Sequence, residues 1–267
     1  MSAPNSSSTS KTPPGEQAGR EFAPRDDLLA ALGEFSAAAG HEINNPLAVI
    51  LGRVQLLLPG ETDPARRQSL ETIAGQAHRI RDMIGDLMLF ANPPAPRLQT
   101  VNVADSLAPL IDNLIASRPP SSTIPPPQLD FTLPSDLRVQ ADPDQFRTVL
   151  AELLRNALHP TVAATRVLLQ AEVSPVEPRC CLLTIRDNGH GLTPNEAVHL
   201  FNPFFSGRQA GRGLGFGLCK AWRLTTLQGG HIKVVAHGVD HDPGSENFAT
   251  EFHLHWPLAS TDPENEN

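Results

Sequence analysis

Residues 26–57, DDLLAALGEFSAAAGHEINNPLAVILGRVQLL, carry apolar side chains that recur every three or four positions. This spacing is typical of one side of an α-helix, and here it predicts a helix of about thirty residues. Pro59 and Gly60 follow and should end it. The predicted buried stripe consists of Leu28, Leu32, Phe35, Ala39, Ile43, Leu47, Ile50, Val54 and Leu57.

A second stripe with alternating spacings of three and four follows the turn, and Asn92, Pro93 and Pro94 should end its helix. Two amphipathic helices joined by a short turn predict an antiparallel hairpin, which has too little core to be stable alone. We therefore expect two copies to pair as a homodimer with a four-helix bundle. The second stripe consists of Leu70, Ile73, Ala77, Ile80, Ile84 and Leu87.

The remainder of the chain mixes helical and alternating patterns, which predicts an α+β fold in which a sheet carries helices on one face, an α/β sandwich. Helices are expected over residues 104–116, 144–158 and 218–227, the second of them started by Asp142 and Pro143. Strands are expected near residues 129–133 and 137–140, as a pair, and near 166–172, 180–186, 231–236 and 250–255.

These patterns divide the chain into five segments. Residues 1–24 are rich in Ser, Pro, Thr and Gly and predict a disordered tail, because so little apolar surface cannot offset the entropy of ordering. The hairpin covers residues 25–92, a linker 93–98, the α/β domain 99–258 and a second disordered tail 259–267.

Composition excludes several classes of function. The net charge is −8 and no cluster of Lys and Arg stands out, which argues against a nucleic-acid partner. No apolar run approaches the ~18 residues that span a bilayer, and the first residues lack a secretory signal, so we expect a cytoplasmic protein without membrane insertion. The three cysteines lack zinc-site spacing and are expected to be reduced and buried.

His41 lies two residues from both Ala39 and Ile43 of the predicted stripe, so it should face solvent on the first helix. An exposed imidazole has a neutral nitrogen at physiological pH and can act as a nucleophile, while Glu42 can accept its proton. Taken alone, the pair is better explained as a solvated surface histidine beside a glutamate.

Four further motifs follow in the chain. Asn156, in residues 152–157 ELLRNA, could offer an amide oxygen to Mg²⁺, although a solvated or capping Asn is the simpler explanation. In residues 187–191, DNGHG, a carboxylate at a strand end precedes glycines and could accept the amine of adenine; an ordinary Asp-Gly turn is the alternative.

Residues 211–217, GRGLGFG, precede a helix and could bring backbone N–H groups onto phosphate oxygens, although a flexible loop would look the same. Neither a Walker A loop nor a Rossmann fingerprint fits this segment. Upstream, residues 200–206, LFNPFFS, place three aromatic rings beside the loop, which suggests a lid anchored by Phe side chains. Core packing explains those rings equally well.

Taken in order, these motifs resemble the H, N, G1, F and G2 boxes of the two-component sensor histidine kinases, in particular those of the nitrogen-regulation type. The resemblance covers residues 26–258. It implies a HisKA-like dimerisation and histidine phosphotransfer hairpin, followed by an ATP-binding domain of the kind shared with gyrase, Hsp90 and MutL.

The resemblance also implies roles for individual residues. His41 would be the phosphoacceptor, Glu42 its acid/base partner, and Asn45 would orient water when a phosphorylated partner is dephosphorylated. Asn156 would hold Mg²⁺. The ATP-binding residues would be Asn156, Asp187, Gly189, Gly191, Phe204, Arg208, Gly211, Gly213, Leu214, Gly215 and Gly217.

We therefore expect an ATP- and Mg²⁺-dependent kinase that phosphorylates its own His41 and then a response-regulator aspartate. About 25 polar residues precede the first helix, so we expect the signal to arrive through a separate sensor protein or through the bundle itself. Glu152 stands where many relatives have Asn, which favours an alternative: a nucleotide-binding regulatory module without turnover. A dimer-clamping ATPase of the gyrase and chaperone superfamily is a third hypothesis, against which the His41 motif argues.

Overall fold

The structure is a computed structural model, and it describes residues 26–116, 125, 127–159, 164–205, 215–236 and 247–260. The predicted tail at residues 1–24 and most of the one at residues 259–267 lie outside these ranges. The predicted boundaries of the five segments stay a prediction.

The predicted hairpin is confirmed. Helix α1 (Asp26–Leu57) is followed by a single 3₁₀ turn (Leu58–Gly60) and by α2 (Pro64–Ala91). Asp63 caps α2, because its side chain accepts hydrogen bonds from the backbone N–H groups of Ala65 and Arg66. Pro64 occupies the first helical position, where no N–H donor is lost.

The buried face of the hairpin differs from the predicted stripe. Phe35, Ile50 and Leu57 of that stripe are 65%, 41% and 58% exposed, and Ile73 and Ile80 are also exposed. Within a single chain the stripe is therefore only partly buried, because spacings of three and four select residues from two adjacent helical faces, and only one of these faces packs inside the hairpin. The buried residues of the two helices include Leu29, Ser36, Gly40, Leu47, Leu51, Val54, Ala77 and Ile84.

The described residues that follow the hairpin form two sheets and four helices. A small antiparallel sheet pairs β1 with β3, and a five-stranded sheet has the order β2-β4-β5-β7-β6. The strands are β1 (Gln99–Asn102), β2 (Gln128–Thr132), β3 (Arg138–Ala141), β4 (Arg166–Val173), β5 (Cys180–Asp187), β6 (His231–Ala236) and β7 (Thr250–Pro257). The helices are α3 (Val103–Ala116), α4 (Pro143–Ala157), α5 (Pro194–His199) and α6 (Gly217–Leu227).

The predicted pairing of residues 129–133 with 137–140 was wrong. Strand β2 pairs in parallel with β4, and β3 pairs antiparallel with β1. Strand β1 and helix α5 were not predicted, because both are short and lack a clear apolar period. Partner choice in a sheet depends on segments distant in the chain, so proximity in sequence was a poor guide.

The helices α4 and α6 cover one face of the large sheet, as predicted. Trp256 of β7 is 1% exposed and meets Phe146 of α4 edge to face at 4.8 Å, and its indole N–H donates to the Gln140 carbonyl at 3.1 Å. A fully buried aromatic pair of this kind fixes the distance between helix layer and sheet. The sheet thus has one buried face and one polar face.

The cysteines and the lengths of the helices bear on the expected redox state and on membrane insertion. The cysteines form no disulfide; Cys181 and Cys219 are buried as expected, but Cys180 is half-buried at the start of β5, so the prediction for it was wrong. Among the described residues, no helix combines the length and apolarity that crossing a membrane requires.

Candidate functional site

His41 is exposed on α1, as predicted, and Glu42 and Asn45 are exposed beside it. The orientation follows from Gly40, whose missing Cβ would lie 2.6 Å from the Met88 sulfur of α2. Because Gly40 faces α2 at this close approach, the next residue is turned about 100° away from it, toward solvent. Ile43 packs against the buried cluster of Leu47, Leu51 and Ala77, as predicted, whereas Ala39 is only half-buried.

Helix α4 carries Asn156, which is half-buried, and Glu152 one turn before it. The helix starts where the Asp142 side chain accepts hydrogen bonds from the N–H groups of Asp144 and Gln145 at 3.0 Å. This cap fixes the register of the helix, and with it the positions of Glu152 and Asn156 relative to the sheet.

Asp187 ends the central strand β5 and is 2% exposed. Its neighbours in the sheet are Val167 on one side and Thr250 on the other. One carboxylate oxygen accepts the N–H of Gly189 at 3.0 Å, which holds the side chain in one orientation. A buried, oriented carboxylate at a strand end can accept hydrogen bonds from a planar ring, as the sequence suggested.

Asn188 fixes the turn that follows, a role that the sequence analysis did not identify. Its side-chain oxygen accepts hydrogen bonds from the N–H groups of Thr165 and Arg166, at 3.0 and 2.8 Å. The turn then passes through Gly191, whose φ of 75° favours a residue without a Cβ. The sequence motif predicted a glycine in this turn. It did not predict the contact of Asn188 with Thr165, because Thr165 is distant in the chain.

The aromatic segment contacts the end of the glycine-rich segment. A Cβ on Gly215 would lie 2.6 Å from the carbonyl carbon of Phe204, and φ of Gly215 is 70°. Phe204 itself has a φ of 63°, is 62% exposed and meets the Phe216 ring edge to face at 4.6 Å. Both segments are thus held together at a position that only glycine fits.

Four predicted ATP-binding residues fall outside the described residues. They are Arg208, Gly211, Gly213 and Leu214.

Lys220 of α6 pairs with two carboxylates near this site, which no sequence pattern predicted. Its ammonium group, in a residue 7% exposed, lies 2.6 Å from the carboxylate of Asp86 on α2 and 2.9 Å from that of Glu152 on α4. Arg155 also contacts Glu152, at 2.6 Å. These residues come from three distant segments, so no local pattern could have paired them.

The charges in this cluster stabilise one another. Burial alone raises the pKa of Glu152, but Lys220 and Arg155 outweigh it and leave that pKa below its usual value of 4.5. Burial lowers the pKa of Lys220, but Glu152 and Asp86 raise it above 10.5 overall. The Glu152 contribution is therefore lost only in acid, as the pH falls through its lowered pKa, and the Lys220 contribution only in strong base.

An apolar cluster lies next to these charges. Leu29 of α1 and Phe90 of α2 pack with Phe216 and Cys219 at the start of α6. All four side chains are less than 5% exposed. The base of the hairpin is therefore packed against the residue that follows Gly215.

One turn of α2 links the two parts of the site. Met88 and Ile84 face Gly40, the neighbour of His41, while Asp86 between them binds Lys220 of α6. The exposed histidine and the helix after the glycine-rich segment are thus held on the same short stretch of α2.

Two family models match the chain. Residues 31–96 match the "His Kinase A (phospho-acceptor) domain", and residues 141–260 match the "Histidine kinase-, DNA gyrase B-, and HSP90-like ATPase". These ranges contain the hairpin with His41 and the domain with Asp187.

Several curated proteins are similar over most of the chain. The sensor histidine kinase ZraS of Salmonella typhimurium is 32% identical over 79% of this chain and 44% of its own length. The sensory histidine kinase/phosphatase NtrB of Klebsiella oxytoca is 29% identical over 82% of this chain and 60% of its own length. The chain thus spans about half the length of these relatives.

A solved structure shares the fold. The crystal structure of full-length ShkA in complex with AMPPNP aligns with a TM-score of 0.66 at 23% identity, over 85% of this chain and 46% of that one. Hairpin and α/β domain together therefore follow a known architecture.

Replacing Lys220 by Met should destabilise the protein, because the half-buried carboxylates of Glu152 and Asp86 lose their shared counter-charge. We expect a loss of about 3 kcal/mol in the free energy of unfolding, measured by urea denaturation at pH 7. The control Lys233→Met removes an exposed lysine and should change stability by less than about 0.5 kcal/mol. Equal losses in the two variants would show that the Lys220 cluster contributes nothing specific.

Proposed function

Because this chain belongs to the two-component sensor histidine kinases, we propose that it binds ATP, phosphorylates its own His41 and transfers the phosphoryl group to a response-regulator aspartate. In this proposal residues 25–92 form the dimerisation and phosphotransfer hairpin, and residues 99–258 form the ATP-binding domain. The reaction takes place in the cytoplasm, where ATP and the receiver domain are available.

The observation that carries the proposal is the shared turn of α2. His41 is exposed beside the residue that packs on Met88, and Asp86 in the same turn binds Lys220 of the helix that follows the glycine-rich segment. The helix that carries His41 and the helix that follows the glycine-rich segment contact the same turn of α2, so both parts that the reaction needs are held in one assembly, which lowers its entropic cost.

The chemistry uses residues at the exposed face of α1. A ring nitrogen of His41 attacks the γ-phosphorus of ATP while the bond from that phosphorus to the leaving oxygen of ADP breaks. Glu42, adjacent and exposed, accepts the proton that the ring loses. The phosphoryl group then moves from the imidazole nitrogen to an aspartate oxygen of the partner.

The described residues fit a nucleotide. The buried Asp187 carboxylate is an acceptor suited to the exocyclic amine of adenine, and Gly189 and Gly191 leave room for the ring. Phe204, Gly215 and Gly217 would form the base of a lid, to which the sequence adds Arg208, Gly211, Gly213 and Leu214.

Asn156 would hold Mg²⁺ through its amide oxygen, because it lies half-buried on α4, one turn after Glu152. Bound Mg²⁺ supplies positive charge to the phosphates. Asn45 is exposed one turn beyond His41, and we propose that it orients water when the partner is dephosphorylated.

A homodimer is supported by the apolar face that the hairpin leaves uncovered. Ile50 and Leu57 on α1 are seven residues apart, as are Ile73 and Ile80 on α2, and all four are at least 38% exposed. Seven-residue spacing on both helices is the pattern by which helices pair with a second copy. We propose that two hairpins join through this face into a four-helix bundle.

The His41→Gln variant should lose autophosphorylation, because an amide nitrogen is not a nucleophile of comparable strength. Wild-type protein incubated with γ-labelled ATP and Mg²⁺ should gain acid-labile, base-stable phosphate, whereas His41→Gln should gain none. The control His78→Gln changes a histidine on the other helix of the hairpin and should be phosphorylated normally. Labelling that persists in His41→Gln would refute the proposed acceptor, and unlabelled wild type with intact ATP binding would support the regulatory-module alternative.

Asp187→Asn should weaken nucleotide binding, because an amide is a poorer acceptor for the adenine amine than a buried carboxylate. We expect the Kd for AMPPNP in calorimetry to rise at least about tenfold. Asp136→Asn, at an exposed turn, is the matched control and should leave the Kd unchanged. An unchanged Kd in Asp187→Asn would remove Asp187 from the adenine site.

Ile73→Glu combined with Ile80→Glu should convert a dimer into a monomer, because two charges on each copy would be buried in the bundle. Light scattering at micromolar concentration should report the halved mass, with circular dichroism confirming helix content. Val176→Glu places a charge at another exposed apolar residue, 81% exposed, and should leave the mass unchanged. A wild-type monomer would contradict the dimer.

A further inference from the structure

The polar face of the large sheet carries a cluster of two histidines and a glutamate. His231 opens β6 and lies directly opposite His255 of β7 in the antiparallel register. Glu177 lies in the turn between β4 and β5 and completes the cluster. Strand alternation turns His255 away from the core, because its neighbours Leu254 and Trp256 are both buried there.

The three side chains offer their ligand atoms close together. The Nε2 of His231 lies 3.5 Å and the Nδ1 of His255 lies 3.7 Å from the same Glu177 oxygen, and all three atoms fall within 4.8 Å of one another. Ligands of a tetrahedral zinc ion lie roughly 3.3 Å apart, because each is about 2.1 Å from the metal. We propose that Glu177, His231 and His255 form a binding site for a divalent transition-metal ion such as Zn²⁺.

The burial of His255 points to a ligand. Its side chain is 8% exposed, and its Nδ1 atom, which faces Glu177, is buried without a hydrogen-bond partner among the described residues. Buried polar atoms normally have a hydrogen-bond partner. The Nδ1 atom of His255 faces a carboxylate and a second imidazole, so a bound metal ion there would give this nitrogen a partner. The donor set of two imidazoles and one carboxylate suits zinc-class ions rather than Mg²⁺.

Ion binding requires a small rearrangement of the rings. The imidazoles of His231 and His255 stack with centroids 4.3 Å apart and planes 12° apart. Because an imidazole lone pair lies in the ring plane, at least one ring must tilt before both nitrogens face one ion. His231 and Glu177 have side chains 35% and 37% exposed and have the freedom to move, whereas the buried His255 provides the fixed ligand. Water would occupy the remaining position.

The site is separate from the nucleotide pocket. Glu177 and Cys180 lie at the beginning of β5, and Asp187 lies at its end, seven residues or about 23 Å further along the strand. A bound ion would therefore connect the β4–β5 turn to β6 and β7 without touching ATP. The proposal does not depend on kinase activity, and neither outcome of the phosphorylation test bears on it.

Calorimetric titration of the metal-free full chain with Zn²⁺, without nucleotide, tests the site, and Co²⁺ with visible absorption serves as a second probe. We expect one ion per chain, with a Kd at least tenfold weaker in His231→Gln and in Glu177→Gln. Saturating Zn²⁺ should raise the Tm of the wild type but not that of these variants. Excess Mg²⁺ should not compete.

Two control variants decide the interpretation. His253→Gln changes a histidine on the same face of β7 that is engaged with Glu251 at 3.0 Å, and it should keep wild-type affinity. Cys180→Ser tests whether the thiol that contacts Glu177 binds the metal ion instead, and this variant should also bind Zn²⁺ with wild-type affinity. Substitution of the buried His255 could unfold the domain, so the half-buried His231 is the residue to replace. Circular dichroism should show that His231→Gln is folded. Absence of stoichiometric binding, equal weakening in His253→Gln, or loss in Cys180→Ser alone would overturn the proposal.

Discussion

The buried ammonium group of Lys220 connects the helical hairpin to the nucleotide-binding domain. Moving such a charge out of water costs several kcal/mol, and only the two carboxylates of Asp86 and Glu152 within 3 Å offset that cost. The favourable arrangement therefore exists only while α2, α4 and α6 stay together. Separation of the hairpin from the domain would break the contact between Lys220 and Asp86, while Lys220 and Glu152 would stay together in the domain.

The apolar cluster beside Lys220 adds a second contact between the hairpin and the start of α6. Phe216 packs on Leu29 and Phe90 of the hairpin, and on its other side its ring meets Phe204. Gly215 is confined between these contacts, since any Cβ would collide with the backbone of Phe204 and Phe205. Packed side chains thus connect the base of the hairpin to Gly215 and Phe216.

The parts of the site that were predictable are those defined by short segments. The position of Asp187 at a strand end was predictable, because an alternating strand pattern precedes it and glycines typical of a turn follow it. The exposure of His41 was predictable from its place in a helix. Lys220 was missed because a lysine in an amphipathic helix is normally solvent-exposed, and nothing near residue 220 indicates Asp86 or Glu152. Asn188 was missed for a related reason, because its partners Thr165 and Arg166 belong to another strand.

The sequence by itself determined most of the helices and strands, the turn at Pro59, the helix start at Asp142 and the order of the motifs, because each depends on backbone chemistry within a few residues. The tertiary structure decided which side of each helix is buried, as the exposed Ile50 and buried Leu51 show. It also decided that β2 pairs with β4, and that Glu177, His231 and His255 converge. These outcomes depend on contacts between segments far apart in the chain. The packing and charge interactions that stabilise such contacts leave no periodic pattern in the local sequence.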